Sequence, residues 1–173
     1  MKAKLHVVQG NIVEMKVDAI VNAANTSLLG GGGVDGAIHH AAGPSLLEEC
    51  KTLGGCATGH AKITQGYDLP AKYIIHTVGP IWRGGAKGEV QLLTSCYSSS
   101  LTLAIENGVK SIAFPAISCG IYGYPVSQAC MLAVAETSNF LELHDSIEDV
   151  YFVCYDQSTF DAYIQSLSAL EHD

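Results

Sequence analysis

Apolar positions along the chain fall into two kinds of run. Short Val/Ile-rich stretches at residues 5–8, 19–21, 73–78, 112–117 and 150–154, with a weaker one at 62–64, have the length and β-branched content of strands. Between several of them lie helical patterns, over residues 34–42, 44–51, 89–107, 126–143 and 158–170. Pro44 and Pro125 suit helix starts and Gly108 a helix stop, because proline fits the first turn and glycine adopts the backbone that ends one. The nearly continuous apolar run Ser111-Ile-Ala-Phe-Pro-Ala-Ile117 leaves no polar face for water, so its strand is covered on both sides. Strands alternating with helices then predict a layered α/β fold around a mixed sheet.

Nothing divides the chain. The segment Trp82-Arg-Gly-Gly-Ala-Lys-Gly88 is a loop by composition, but no Pro/Ser linker, repeat or charge block interrupts the pattern, so residues 1–173 are expected to form one domain. Four glycine-rich or polar loops directly follow strands: Gly10-Asn-Ile12, Asn22-Ala-Ala-Asn25 running on to Gly36, Ser118-Cys-Gly-Ile-Tyr-Gly-Tyr-Pro125, and Tyr155-Asp-Gln157. All four are placed at strand carboxyl ends, the edge at which open α/β sheets bind ligands.

Composition narrows the possible ligands. Hydrophobic residues are 48% and charged residues 15%, and no apolar run approaches the ~18 residues of a membrane span. No signal-peptide pattern opens the chain, so a cytoplasmic protein is expected. Six cysteines without a secretory context, several in apolar runs, read as reduced core thiols, and the seven histidines show no zinc spacing, so no metal is expected. The net charge of −8 opposes the basic footprint of a nucleic-acid binder. A small phosphorylated ligand is still admissible, since helix N-termini and glycine-loop amides hold phosphate without lysine or arginine.

Taken singly, the candidate residues have ordinary readings too. Gly31-Gly-Gly-Val-Asp-Gly36 matches G-x-G-x-x-G, but it comes well after its strand, and the acidic residue expected at the end of a second strand is missing. Its glycines permit close backbone approach and lead into a helix N-terminus, or they mark a plain turn. Asp35, in the first helical turn, reads on position alone as a cap, and Asn25 as a turn residue. His39 lies one helical turn after Asp35, a spacing at which the two can share a face, but a lone helix histidine reads on its own as a surface or packing residue. Cys119 sits near a helix start, yet no acid or histidine is placed by sequence to activate it.

Together, Gly10-Asn-Ile12, Val17-Asp-Ala-Ile-Val-Asn-Ala-Ala-Asn25, Gly30 to Gly33 followed by Val34-Asp-Gly-Ala-Ile-His39, Ala41-Ala-Gly-Pro44, His76-Thr-Val-Gly-Pro80 and Phe114-Pro-Ala-Ile-Ser118 closely resemble the macrodomain family, in order, from about residue 5 to 160. The likeness is to its MacroD-type branch, which includes bacterial O-acetyl-ADP-ribose deacetylases. It implies a three-layer α/β/α domain holding ADP-ribose across the strand ends. It also implies that Asn25 binds the distal ribose and that Asp35 orients or deprotonates a water, with His39 tuning that network. Gly31, Gly32, Gly33 and Val34, with Ser118, Cys119, Gly120, Ile121 and Tyr122, would line the pyrophosphate and distal ribose. Tyr155 would stack on adenine, and Asn11 and Ile12 would contact its edge. Two departures stand out: Asn11 where most relatives have aspartate, and Cys119 where they usually have threonine.

The resemblance implies hydrolysis of ester-linked ADP-ribose, either O-acetyl-ADP-ribose or mono-ADP-ribose on aspartate or glutamate of proteins, with no cofactor. A binding-only reader of ADP-ribose is the alternative, disfavoured by Asn25 and Asp35, which a reader does not need. A single-strand RNA or poly(ADP-ribose) binder is disfavoured by the charge. A monomer that engages no membrane is expected.

Overall fold

The computed structural model describes residues 3–171. In chain order it contains β1 (Lys4–Gln9), a 3-10 turn (Ile12–Glu14), β2 (Ala19–Ala23), α1 (Gly33–Ala42), α2 (Pro44–Lys51), β3 (Ala61–Gln65), β4 (Tyr73–Thr77), α3 (Glu89–Glu106), β5 (Ser111–Phe114), α4 (Val126–Leu143), β6 (Asp149–Cys154) and α5 (Gln157–Glu171). Each expected strand and helix is present. The fifth strand is shorter than its apolar run, ending at Phe114 because Pro115 has no N–H to continue the ladder. Asn22, expected in a loop, lies within β2 and is fully buried.

The strands form one sheet in the order β1-β6-β5-β2-β4-β3, parallel except for β3, which runs antiparallel to β4. The expected mixed sheet is thus mostly parallel with one reversed edge strand. Alternate side chains feed two cores. On one face Ile20, Ile74, Ala113 and Val153 pack with Ile38 and Ala42 of α1 and Leu46 and Cys50 of α2. On the other, Val21, Ile75, Phe114 and Phe152 pack with Leu93 and Tyr97 of α3, Ala129 and Ala133 of α4 and Tyr163 of α5. The two cores make three α/β/α layers, and burial on both faces explains the apolar strand sequences. All six cysteines are free, five of them buried. Among the described residues no helix is long and apolar enough to cross a membrane.

Sheet order decides where a ligand can enter. After β2 the chain leaves over one face through α1 and α2 toward β3, whereas after β5 it leaves over the opposite face through α4 toward β6. β2 and β5 are neighbours, so their departing chains open a crevice at the carboxyl ends, the switch point at which such sheets bind ligands.

Candidate functional site

A cavity of about 290 Å³ occupies this crevice. One wall is Ala23 to Asn25 and Gly31 to Asp35, from the loop after β2 and the first turn of α1. The other is Ala116, Ser118 and Gly120 to Tyr122, from the loop after β5, with Gly79 between them. The first turn of α1 carries no side-chain cap, since Gly32 is its N-cap, so the amides there remain available to an anion. Gly36 is required by packing: a β-carbon there would lie 2.5 Å from the Gly31 carbonyl oxygen.

Asp35 is not a helix cap. It is only 5% exposed, and its Oδ1 accepts a 2.8 Å hydrogen bond from Nδ2 of Asn22, with His39 Nε2 3.5 Å from the same oxygen. Its Oδ2 points the other way. A β-carbon on Gly31 would lie 3.1 Å from Oδ2 and 3.2 Å from Asn25 Nδ2, so carboxylate and amide face each other across that glycine at the cavity wall. Asn25 keeps its turn role as well, accepting from Ser27 N at 3.1 Å and Ser27 Oγ at 2.6 Å and donating to the Gly30 carbonyl at 2.9 Å. The loop therefore holds the amide, and the second N–H on Nδ2 is left for a ligand.

Behind Asp35 stands a chain of buried polar groups. Asn22 Nδ2 also approaches His76 Nδ1 at 3.1 Å, and His76 Nε2 lies 2.9 Å from Thr64 Oγ1, which donates to the Gln65 carbonyl at 3.1 Å. Asn22 and His76 are register partners in β2 and β4, and Thr64 is opposite Ile74, two residues from His76 on the same face. Burial holds the imidazole neutral, lowering its pKa to about 3, with a smaller contribution from the nearby His39.

The wall after β5 is braced from outside. Ser118 adopts φ 67, a left-handed backbone uncommon outside glycine, and its Oγ donates to the Pro80 carbonyl at 2.8 Å. A β-carbon on Gly79 would collide with that hydroxyl, which accounts for the glycine. Trp82 packs its ring on Tyr124 with centroids 4.6 Å apart. The Trp82 loop is held by Glu89, whose buried carboxylate accepts from the backbone N–H groups of Arg83, Gly85 and Lys87 at 2.6–2.9 Å. Burial raises the Glu89 pKa, but these donors outweigh it and bring the group down to about 2.

Of the residues expected from sequence, Asn25, Gly31, Gly32, Gly33, Val34, Asp35, Ser118, Gly120, Ile121 and Tyr122 all line this cavity. Cys119 does not: its Sγ turns to the Ile117 carbonyl at 3.6 Å, and burial pushes the thiol up to about 11. His39 stands behind Asp35 rather than on the wall. Asn11, Ile12 and Tyr155 lie farther along the same edge, at the ends of the adjacent strands β1 and β6, joined by Gly10 N donating to the Cys154 carbonyl at 2.9 Å. Asn11 caps the 3-10 turn through Val13 N, Ile12 is buried, and Tyr155 is 87% exposed. Three strand spacings separate β1 from β2, roughly 14 Å, which suits an elongated ligand.

Sequence reasoning missed Asn22, His76 and Thr64 as parts of the site, and Glu89 and Trp82 as its support. A signal was available: Asn22 and His76 each interrupt an apolar strand, and a buried polar side chain demands a partner.

Sequence and fold both match known proteins. The Macro domain family model matches residues 21–133. A macro domain-containing protein of Methanosarcina mazei is 59% identical over 96% of this chain and 89% of its own. An O-acetyl-ADP-ribose deacetylase of Citrobacter rodentium is 58% identical over 92% of each chain. Among solved structures, a variant of the Oceanobacillus iheyensis macrodomain with ADPR superposes with a TM-score of 0.96 at 41% identity, covering 99% of this chain and 96% of that one.

Proposed function

The chain belongs to the macrodomain family, and from that premise we propose that it is an ADP-ribose-binding hydrolase that cleaves ester-linked ADP-ribose, with O-acetyl-ADP-ribose as substrate. The observation that carries this reading is the placing of Asp35 Oδ2 and Asn25 Nδ2 beside Gly31, at one wall of a cavity whose remaining walls are the glycine-rich loops after β2 and β5. The relative named as a deacetylase and the neighbour with ADPR support it.

In this reading the amides of Gly31 to Val34 and Gly120 to Tyr122 hold the pyrophosphate, Asn25 holds the distal ribose, and Tyr155 lies along adenine, with Asn11 and Ile12 at the adenine edge. Water held by Asp35 Oδ2 attacks the acyl carbonyl carbon while the carboxylate takes its proton. The tetrahedral intermediate then expels the ribose oxygen, which regains a proton, giving acetate and ADP-ribose. Preorganised N–H donors stabilise the charge that develops. Residues 1–173 act as a single-domain cytoplasmic monomer, and mono-ADP-ribose on protein carboxylates is a second ester of the same chemistry.

The test measures ADP-ribose affinity by calorimetry and O-acetyl-ADP-ribose turnover for the wild type, Asp35→Ala and Asn25→Ala. A loss of roughly 100- to 10,000-fold in kcat for Asp35→Ala with affinity nearly unchanged supports the assignment. Tight ADP-ribose binding without wild-type turnover would make the chain a binding module instead.

A further inference from the structure

We infer that His76 is a positioning residue for hydrolysis: held by Thr64, it fixes the Asn22 amide so that Asn22 donates to Asp35 Oδ1 and leaves Oδ2 free for water. This rests on the hydrolase reading above. None of Asn22, His76 and Thr64 lines the cavity, and all three are at most 2% exposed, so they act only through Asp35.

Hydrogen-bond chemistry allows one self-consistent arrangement of the chain. Asn22 Nδ2 meets both Asp35 Oδ1 at 2.8 Å and His76 Nδ1 at 3.1 Å, one N–H for each. Turning the amide over would set its oxygen against the Asp35 carboxylate, acceptor against acceptor. His76 Nδ1 must therefore be bare, which places the ring proton on Nε2, 2.9 Å from Thr64 Oγ1. The threonine hydroxyl accepts that proton and passes its own to the Gln65 carbonyl at 3.1 Å, so every hydrogen from strand backbone to carboxylate has one acceptor. A ring carrying a proton on Nδ1 would face the Asn22 N–H group donor to donor, and the amide would turn away from Asp35.

Removing the ring's acceptor frees the Asn22 amide to rotate without touching any ligand-binding group. His76→Leu is therefore expected to lower kcat by about tenfold or more, the scale for losing an outer hydrogen-bond partner of a reacting group, with ADP-ribose affinity within about twofold of wild type. His76→Gln, whose amide oxygen can accept from Asn22, recovers most of that loss. Where leucine prevents folding, Thr64→Val keeps the shape, removes the hydroxyl, and lowers kcat several-fold in the same sense.

The experiment measures kcat, KM and ADP-ribose affinity for the four proteins, together with 15N NMR of the His76 ring and hydrogen exchange of the Asn22 side-chain amide. Support is a bare Nδ1 in the wild type, an Asn22 amide protected in the wild type and His76→Gln but not in His76→Leu, and a fall in kcat alone. An Nδ1-protonated ring, or folded variants with wild-type kcat, overturns the inference. Were the wild type itself to lack turnover, the hydrolase reading would fall, and with it the role assigned to His76 in hydrolysis; the NMR arms would still decide whether His76 orders Asn22.

Discussion

The backbone N–H of Trp82 donates to the Tyr122 carbonyl at 2.8 Å, joining the loop before α3 to the loop that walls the cavity. Glu89 holds the first loop by three backbone N–H groups, so its carboxylate indirectly sets the second. Glu89→Ala leaves those donors unpaired and is expected to weaken ADP-ribose binding several-fold, although the residue touches no ligand. Glu89→Gln, with one acceptor oxygen, falls between. Calorimetry checks this, and unchanged affinity in a folded Glu89→Ala protein would separate the two loops.

Tyr155 offers an exposed ring at the end of β6, beside Asn11 at the end of β1. If adenine lies on that ring, Tyr155→Ala should cost about 1–3 kcal/mol of ADP-ribose affinity, the worth of one base stacked on an aromatic. The loss should be much smaller for ribose 5-phosphate, which has no base. Asn11→Asp restores a charged acceptor and is expected to tighten ADP-ribose by ~1 kcal/mol. Equal effects on both ligands would place adenine elsewhere.

Acid should destabilise the fold in two stages. The unfolded chain protonates His76 near pH 6.5, but the buried ring resists until about pH 3, so stability falls as pH drops through that window. The groups around the ring are Asn22 and Thr64, with Asp35 of α1 beyond Asn22 and the His39 ring of α1 6.4 Å away. Glu89 is depressed from 4.5 to about 2, so its contribution is present above pH 4.5 and is lost as pH falls toward 2. Denaturation midpoints measured from pH 7 to 3 should decline gently below 6.5 and more steeply below 4.5. His76→Gln should flatten the decline above pH 4.5 and leave only the Glu89 part below it, and a wild-type midpoint constant from pH 6.5 to 5 would contradict the His76 assignment.

Cys119 should be an unreactive thiol. Burial, then the nearby Asp156, raises its pKa from 9.0 to about 11, which cuts the thiolate fraction at neutral pH roughly 100-fold. Iodoacetamide at pH 7.5 should label it far more slowly than a free cysteine, and Cys119→Thr should bind ADP-ribose within about twofold of wild type. Rapid labelling that blocks binding would return the thiol to the pocket.

Much of this protein is legible along the chain because it is encoded locally. Val/Ile runs, helical spacing and glycine breaks depend on neighbours a few residues away, so the element order and the position of Asn25, Asp35 and the loop at 118–122 on one sheet edge follow from them. The strand end at Phe114 and the inclusion of Asn22 in β2 are departures at element boundaries, where a proline and ladder pairing outweigh pattern.

What only tertiary structure decided is which distant residues meet. Asn22 and His76 are 54 residues apart, and Glu89 acts on Tyr122 through a third segment. Such contacts depend on strand order and register: β2 beside β4 brings Asn22 to His76, and antiparallel β3 adds Thr64. A slip of one residue would turn Asn22 to the opposite face of the sheet, so the polar chain behind Asp35 exists only in the folded register.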